Sequence, residues 1–185
     1  MKEEKAKKSF KAFLEASFYL FLAVALIYFV LAFVGQRTSV NGSSMYPTLE
    51  DGDQLIVEKF SYRFGRPKRF DIIVFNEMEA GKKEPVHYIK RIIGLPGETV
   101  QIIDGKVYID GEELEESYGY YSNQEKMEGY DVSEPMVIGE DEYFVLGDNR
   151  NDSLDSRKIG CKKKQDIIGR AVFRIYPFKK FGGIN

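Results

Sequence analysis

The sequence has very few of the residues that build disulfides and metal sites. It contains one cysteine, Cys161, and one histidine, His87, among 185 residues. A single cysteine cannot form an intrachain disulfide, so folding must rely on an apolar core, which a domain of about 150 residues can supply. One cysteine and one histidine also disfavour a structural zinc site. The composition therefore gives no indication of a metal.

The chain also lacks an excess of either charge. It has 27 lysines and arginines against 29 aspartates and glutamates, for a net charge of −2. Proteins that bind nucleic acids usually present a strongly basic surface to the phosphates. We therefore expect no nucleic-acid partner.

Charge is absent altogether from one stretch near the N-terminus. Glu15 and Arg37 enclose residues 16–36, ASFYLFLAVALIYFVLAFVGQ, which are mostly apolar. A helix of about 20 residues rises roughly 30 Å, enough to cross a bilayer. A buried core helix would show a polar face, and the apolar part of a signal peptide is shorter, about 7–15 residues. The stretch predicts a retained transmembrane helix; cleavage near Ala32 to Gly35 is the alternative.

The charges before this stretch predict its orientation. Residues 1–11, MKEEKAKKSFK, carry five lysines and two glutamates. Basic residues that flank a span stay on the cytoplasmic side. We therefore expect a cytoplasmic segment at 1–15, a single span of the cell membrane at 16–36, and an extracytoplasmic domain at 37–185.

The remaining sequence is typical of strands and turns. Short or alternating apolar runs predict strands at 54–64, 69–76, 87–103 with a break at the GLPG turn, and 167–178. Asp104-Gly105 between two such runs predicts a type I′ hairpin. This pattern predicts a mainly β domain.

Residues 112–142 differ from the rest of the domain in charge. They contain eleven acidic residues and one lysine. We interpret this region as an exposed acidic insertion or a small subdomain on the β core.

Residues 41–49, NGSSMYPTL, place two serines in a turn-like segment just after the apolar stretch. Serine alone is a weak nucleophile and needs a group that accepts its proton. His87, with one of the many aspartates, is one candidate. A lone histidine beside a turn is more often a surface or packing residue, so a lysine is the other candidate.

Lys90 is the lysine whose surroundings favour such a role. A free lysine titrates at about 10.4 and is charged at neutral pH, whereas burial lowers its pKa. Most other lysines lie in polar runs, but Lys90 stands in YIKRIIG and shares a strand face with Tyr88 and Ile92. On this pattern alone, a lysine that reaches from a strand edge to solvent is the alternative.

Four segments together carry a family resemblance. They occur in the order SSMYPTL (43–49), RFDIIVF (69–75), YIKRIIGLPGE (88–98) and GDNRNDSLDSR (147–157), behind the apolar stretch. This series resembles the signature segments of type I signal peptidases, peptidase family S26. These are membrane-anchored serine proteases that remove signal peptides from exported proteins. The resemblance implies a domain of coiled antiparallel β-sheets.

The resemblance also implies roles for individual residues. Ser44 matches the nucleophile, whose backbone N–H helps to form the oxyanion hole, and Lys90 matches the general base of an acyl-enzyme mechanism. Ser153 matches the hydroxyl that orients the Lys90 amine. Four residues of the segment 147–157 match family residues that hold this segment against the site: Asp148, Arg150, Asp155 and Arg157.

The family's substrates imply further expectations. The peptide binds extended beside a strand, and Met45, Pro47, Tyr88 and Ile89 are the expected pocket walls. No cofactor is implied, because lysine supplies the base. Expected partners are the signal peptides of secretory preproteins, membrane lipid and the protein-export machinery.

Departures from the family pattern indicate which branch of the family the chain resembles. Some members carry a serine, two residues before the nucleophile, that completes the oxyanion hole; here that position is Gly42, as in Gram-positive-type members. A single span agrees with that type, and lysine at position 90 separates the chain from the eukaryote-like branch.

Two other functions fit parts of the sequence. A self-cleaving serine–lysine protease of the repressor type is cytoplasmic and lacks an N-terminal span, so residues 16–36 disfavour it. A non-catalytic membrane-tethered binding module is disfavoured because Ser44 and Lys90 are both present.

Overall fold

The computed structural model describes residues 2–33, 35–121 and 132–184, which form two units, Met1–Gly35 and Gln36–Asn185. The first unit contains one helix, α1 (Lys2–Phe33). Its segment Lys7–Tyr28 has a mean hydropathy of 1.8 and exposes every side chain. By length and composition, this helix could cross a membrane.

The second unit consists mainly of strands joined by turns. Its helical segments are short: α2 (Ser61–Phe64), α3 (Ser156–Ile159) and two 3-10 turns, Lys164–Asp166 and Phe178–Lys180. The strands are β1 (Gln36–Ser39), β2 (Gln54–Glu58), β3 (Ile72–Glu77), β4 (Val86–Gly94), β5 (Thr99–Ile103), β6 (Lys106–Ile109), β7 (Glu112–Glu113), β8 (Val132–Val137), β9 (Glu142–Leu146), β10 (Lys162–Lys163), β11 (Ile167–Tyr176) and β12 (Gly182–Gly183).

These strands form two antiparallel sheets. The larger sheet has the order β1-β2-β11-β3-β4-β9-β10, with β12 added beside β11. The smaller sheet has the order β7-β6-β5-β8. The prediction of a mainly β, antiparallel domain is therefore confirmed.

Local sequence accounts for the hairpin of the smaller sheet. Asp104 and Gly105 connect β5 to β6 with φ angles of 52° and 77°. Type I′ turns require positive φ at both central residues, which aspartate tolerates and glycine favours. The hairpin prediction is confirmed.

The expectation of a strand over 54–64 is wrong beyond Glu58. There β2 ends, and the Glu58 carboxylate accepts a hydrogen bond from the Ser61 backbone N–H at 2.9 Å. This side-chain bond satisfies the amide that begins α2, so the chain turns away from the sheet. The aromatic residues of 54–64 favour a strand, so composition alone did not indicate that the chain leaves the sheet after Glu58.

The acidic region 112–142 contributes to the smaller sheet at both of its ends. Its first residues form β7, and Val132–Val137 form β8. Residues 122–131 lie outside the described part of the chain. The two described ends of the region therefore pair with the β5–β6 hairpin, β7 beside β6 and β8 beside β5.

Apolar side chains anchor the turn that follows β1. Met45 and Leu49 are almost completely buried in a cluster with Val74 of β3 and Ile89 of β4. Burying one such side chain contributes about 1.5–3 kcal/mol. The turn that carries Ser44 is therefore attached firmly to the large sheet.

Candidate active site

Ser44 lies in this turn, next to the buried Met45. Its backbone carbonyl accepts a hydrogen bond from the Asn149 N–H at 3.0 Å. The neighbouring Ser43 hydroxyl donates to the Asp152 carboxylate. These contacts attach the serine turn to the loop that follows β9, and they distinguish the two serines, because the Ser43 side chain is bound to an acidic residue.

Lys90 lies in β4, opposite Ile73 of β3. Its side chain is buried, and its Nζ donates hydrogen bonds to Ser44 Oγ at 2.8 Å and to the Ile89 carbonyl at 3.0 Å. The ring of Tyr88 lies 5.3 Å from the same amine. Tertiary structure thus joins two residues that are 46 positions apart.

Burial changes the acid–base chemistry of Lys90. Loss of solvent lowers the pKa of this amine to about 8, while the charges of Asp155 and Asp148 partly oppose the shift. At pH 7, roughly one-tenth of a group with this pKa is neutral, against about 0.04% for a lysine with an ordinary pKa. The amine can therefore accept a proton near neutral pH.

Gly147 begins the loop that packs against both groups. A Cβ atom at this position would lie closer than 3.0 Å to the Ser44 carbonyl oxygen and to Ser153 Oγ. Protein Cβ atoms do not approach other atoms so closely. Glycine therefore permits the close contact between the loop and the serine turn.

Asp155 and Arg157 hold the other end of this loop. Burial alone would raise the pKa of Asp155, but hydrogen bonds and charge from Arg157, with a bond from the Gly147 N–H, keep it below its usual value. Arg157 also donates to the Arg150 carbonyl at 2.8 Å. The carboxylate is thus ionised and fixed inside the loop.

A buried ion pair joins the loop to β4. Arg91 Nε and Nη2 donate to the two oxygens of Asp148 at 2.9 and 2.8 Å. Arg91 Nη1 donates to the Phe70 carbonyl at 3.0 Å, and the guanidinium lies 4.1 Å from the ring centre of Tyr118. Because Arg91 follows Lys90 directly, this pair restrains the strand position that carries the amine.

A short segment of the acidic region covers the same loop. Glu116 binds the buried guanidinium of Arg150. The Tyr120 N–H donates to the Asp148 carbonyl at 2.8 Å, and the Tyr120 carbonyl accepts from the Arg150 N–H at 2.9 Å. Sequence reasoning missed Glu116 and Tyr120, because nothing in the acidic run distinguishes the residues that bind this loop.

Ser153 lies beside these groups with its hydroxyl buried. Within the described residues, no hydrogen bond joins Ser153 to Lys90, whose two acceptors are Ser44 Oγ and the Ile89 carbonyl. The predicted orienting role of Ser153 therefore stays a prediction.

A cavity of about 280 Å³ opens beside the serine and the lysine. Met45, Tyr88 and Ile89 line it, as does His87, whose side chain is exposed. Pro47 is exposed and is not among the lining residues. The cavity wall thus includes three of the four expected pocket residues.

The cavity runs along an edge of β4 that pairs with no other strand in the described part of the chain. Residues 86–91 of β4 pair with β3, but β9 pairs only with residues from Arg91 onward. The backbone N–H and C=O of Ile92 form hydrogen bonds on the β3 side of the strand. Successive residues of a strand direct these groups to opposite sides, so the backbone N–H and C=O of His87 and Ile89 point away from β3. This edge can accept an extended peptide as an added strand.

A hydroxyl within hydrogen-bond reach of a group that can accept its proton is the arrangement that activates a serine nucleophile in hydrolases. Comparison with known proteins identifies the family. Residues 13–176 match the model of the family described as signal peptidase, peptidase S26. The chain therefore belongs to this family of peptidases.

Two relatives, one from Leptolyngbya laminosa and one from Bacillus subtilis, agree with this assignment. A signal peptidase I from Leptolyngbya laminosa is 45% identical over 89% of this chain and 80% of its own length. Signal peptidase I T from Bacillus subtilis is 39% identical over 96% of this chain and 93% of its own length. A crystal structure of a signal peptidase I from Enterococcus faecalis has a TM-score of 0.44 and 36% identity, covering 57% of this chain and 96% of that chain.

Proposed function

We propose that the protein is a membrane-anchored serine endopeptidase that removes N-terminal signal peptides from exported preproteins. The observation that carries this proposal is the 2.8 Å contact between the buried Lys90 amine and Ser44 Oγ. The names of the relatives, signal peptidase I, support the substrate class.

In the first half of the reaction, Ser44 attacks the peptide. The neutral Lys90 amine takes the hydroxyl proton while Oγ bonds to the scissile carbonyl carbon. The resulting oxyanion receives a hydrogen bond from the Ser44 backbone N–H, a contribution of about 3 kcal/mol in such sites. The Lys90 ammonium then gives its proton to the leaving amine, and an ester joins Ser44 to the signal peptide.

In the second half, water replaces the leaving peptide. The Lys90 amine, now neutral again, takes a proton from this water as the water attacks the ester carbonyl. Collapse of the second tetrahedral intermediate returns the proton to Ser44 Oγ and releases the signal peptide. No cofactor enters these steps.

Some family members use a serine side chain as a second donor to the oxyanion, and this chain has no serine at that position. Gly42 has no side chain to supply it, and its own N–H donates to the Asp51 carboxylate at 2.7 Å. Such a donor would therefore come from another group. The Ser44 N–H is the donor that we assign.

The substrate would bind as an extended strand along the open edge of β4. The backbone groups of His87 and Ile89 would pair with it, and Met45, Tyr88 and Ile89 would contact its side chains. The cavity of about 280 Å³ has room for the side chains next to the cleaved bond. We keep Pro47 as a more distant candidate contact.

The N-terminal helix supports a single-pass location in the cell membrane. Residues 1–15 would be cytoplasmic, 16–36 would span the bilayer and 37–185 would be extracytoplasmic, because the lysines precede the apolar stretch. Membrane lipid and the export machinery would then be its surroundings.

Incubation with a secretory precursor tests the function directly. The purified full-length protein should release a mature product whose N-terminus lies at the signal-peptide junction. Because the family resemblance implies small residues, often alanine, at the first and third positions before the cut, a precursor with bulky residues at those positions is the matched control and should remain intact. Cleavage at unrelated sites, or equal cleavage of both precursors, would contradict the proposal.

A further inference from the structure

Tyr118 belongs to the acidic region, yet it contacts the ion pair that restrains Lys90. The centre of its ring lies 4.1 Å from the guanidinium carbon of Arg91 and 5.9 Å from that of Arg150. The face of an aromatic ring attracts a guanidinium cation, and the attraction is stronger in a desolvated site. Arg91 is 2% exposed, so this contact is made away from bulk water.

The polar edges of the Arg91 guanidinium are already engaged by other groups. Two of its nitrogens donate to Asp148 at 2.9 and 2.8 Å, and the third donates to the Phe70 carbonyl at 3.0 Å. A guanidinium is planar, so groups bound at its edges leave its faces open. The Tyr118 ring covers one face and thereby limits the access of water to the ion pair.

Phe70 supports the Tyr118 ring from a strained backbone position. Its φ angle is 72°, in the left-handed region that a bulky residue rarely adopts. The two rings meet edge to face, with their centres 5.5 Å apart. Backbone strain persists where the surrounding contacts fix it, and it often accompanies a functional role. Here Phe70 contacts Tyr118 with its ring and Arg91 with its carbonyl.

The ring of Tyr118 makes these contacts without help from its hydroxyl. Within the described residues, this hydroxyl is buried and has no hydrogen-bond partner. Burial, with the charge of Glu116, raises the pKa of the phenol, so the group is neutral at ordinary pH. A buried polar group without a partner is unfavourable. What the tyrosine contributes at this position is therefore its ring.

We propose that Tyr118 is a positioning residue for the peptidase reaction. Its ring, supported by Phe70, holds Arg91 on Asp148 and so fixes the charges that lie behind Lys90. This role rests on the peptidase function proposed above. It gives the acidic region a part in the reaction, since that region supplies the ring.

The charges around Lys90 explain how this contact affects the reaction. Loss of solvent lowers the pKa of Lys90, the carboxylates of Asp155 and Asp148 oppose this shift, and Arg157 adds to it. Asp155 is paired with Arg157, and Asp148 is paired with Arg91. The other described contacts of the amine are with uncharged groups: Ser44 Oγ, the Ile89 carbonyl and the Tyr88 ring.

Loss of the Tyr118 ring should therefore favour the charged form of Lys90. If Arg91 is held less firmly, the negative charge of Asp148 is less well compensated, and water reaches the pair. Both changes stabilise an ammonium nearby and raise the pKa of Lys90.

Tyr118→Leu in the full-length protein tests the contribution of the ring. Leucine keeps an apolar side chain at this position but offers no aromatic face to Arg91. The midpoint of the pH profile of kcat/KM should rise by about half a pH unit, so the rate at pH 7 should fall about threefold. On the alkaline plateau the rate should change little. A merely structural role would scale the whole profile without moving its midpoint.

Two further variants are matched controls. Tyr118→Phe keeps the ring and removes only the hydroxyl, so it should retain both the midpoint and the rate. Tyr108→Leu makes the same change as the test variant at a half-buried tyrosine of β6 and should leave the midpoint unchanged. Thermal unfolding measures the stability of each variant separately.

Phe70→Gly tests the supporting contact without changing Tyr118. Glycine adopts a positive φ readily, so the substitution removes the strain together with the ring, and the domain should remain folded. We expect the midpoint to rise in the same direction as in Tyr118→Leu, but less. An unchanged midpoint would overturn the support by Phe70, and it would decide against the proposal if Tyr118→Leu did not fold.

Direct titration of Lys90 separates this proposal from the peptidase function. The NMR chemical shift of the Lys90 Cε atom, assigned by its absence in Lys90→Arg, follows protonation of the amine without any substrate. Its midpoint should rise in Tyr118→Leu and stay in place in Tyr118→Phe. Wild-type protein that does not process a precursor would overturn the proposed function alone. Equal midpoints in the wild-type protein and Tyr118→Leu, or equal shifts in the two Tyr118 variants, would overturn the role of the ring.

Discussion

Arg91 and Asp148 form a buried, bidentate ion pair between the strand that carries Lys90 and the loop that contacts the Ser44 turn. Arg91 is 2% exposed and Asp148 is fully buried. A charge that loses its partner in such a site is strongly destabilising, typically by 3–5 kcal/mol. The pair therefore couples the stability of the domain to the geometry of the site.

Asp148→Asn should reveal this coupling. The change leaves the Arg91 guanidinium buried beside a neutral amide, so we expect a loss of about 3 kcal/mol in the free energy of unfolding. Denaturant titration of the purified variant measures this quantity. Glu113→Gln removes the partner of Lys106 in an exposed pair and should change stability little. Equal effects of the two substitutions would contradict the coupling.

Ser44→Ala and Lys90→Ala should each abolish precursor processing, with a fall in kcat/KM of at least about 10³-fold. The reason is that one variant has no nucleophile and the other has no proton acceptor. Ser43→Ala makes the same chemical change one residue earlier, where the hydroxyl binds Asp152, and should retain most activity. Processing by Ser44→Ala at the wild-type rate would exclude Ser44 as the nucleophile.

The pH dependence of processing should follow the neutral form of Lys90. Its pKa is lowered to about 8, so kcat/KM should rise about tenfold per pH unit below 8 and level off above it. The direction follows because the deprotonated amine is the active base. A profile measured with a peptide substrate that does not itself titrate checks this. A rate that stays flat between pH 6 and 10 would argue against lysine as the base.

Gly147→Ala should disrupt both stability and activity. The added Cβ would meet the Ser44 carbonyl oxygen, a backbone atom that cannot rotate away. Overpacking of this kind typically costs 1–3 kcal/mol. Gly183→Ala is the control, since its nearest neighbour would be 3.9 Å away. Thermal unfolding and processing assays on both variants should separate them; similar behaviour would mean that the loop tolerates displacement.

Ser153→Ala tests the predicted orienting role. If this hydroxyl positions the Lys90 amine, its removal should lower kcat/KM at least tenfold and shift the midpoint of the pH profile. Ser133→Ala, at an exposed serine of β8, should do neither. A Ser153→Ala variant that loses stability but keeps the pH midpoint would assign the hydroxyl a purely structural role.

Much of the fold was predictable because its signals are local. The apolar stretch at 16–36, the Asp104-Gly105 turn and the break after Gly94 each depend on a few adjacent residues. The strand prediction over 54–64 was wrong beyond Glu58, because a hydrogen bond from the Ser61 amide to the Glu58 side chain redirects the chain. Strand propensity contains no information about such a bond.

The sequence by itself predicted the candidate catalytic residues: a serine in a turn, and one lysine among apolar neighbours, in segments that resemble a family pattern. Only the tertiary structure decided that they meet, because the larger antiparallel sheet and the loop at Gly147 bring positions 46 residues apart to 2.8 Å. It also decided that Lys90 is buried enough to lower its pKa, and that Arg91 and Glu116 bind the loop. Burial and long-range ion pairs depend on where distant segments lie, and no adjacent residues specify that.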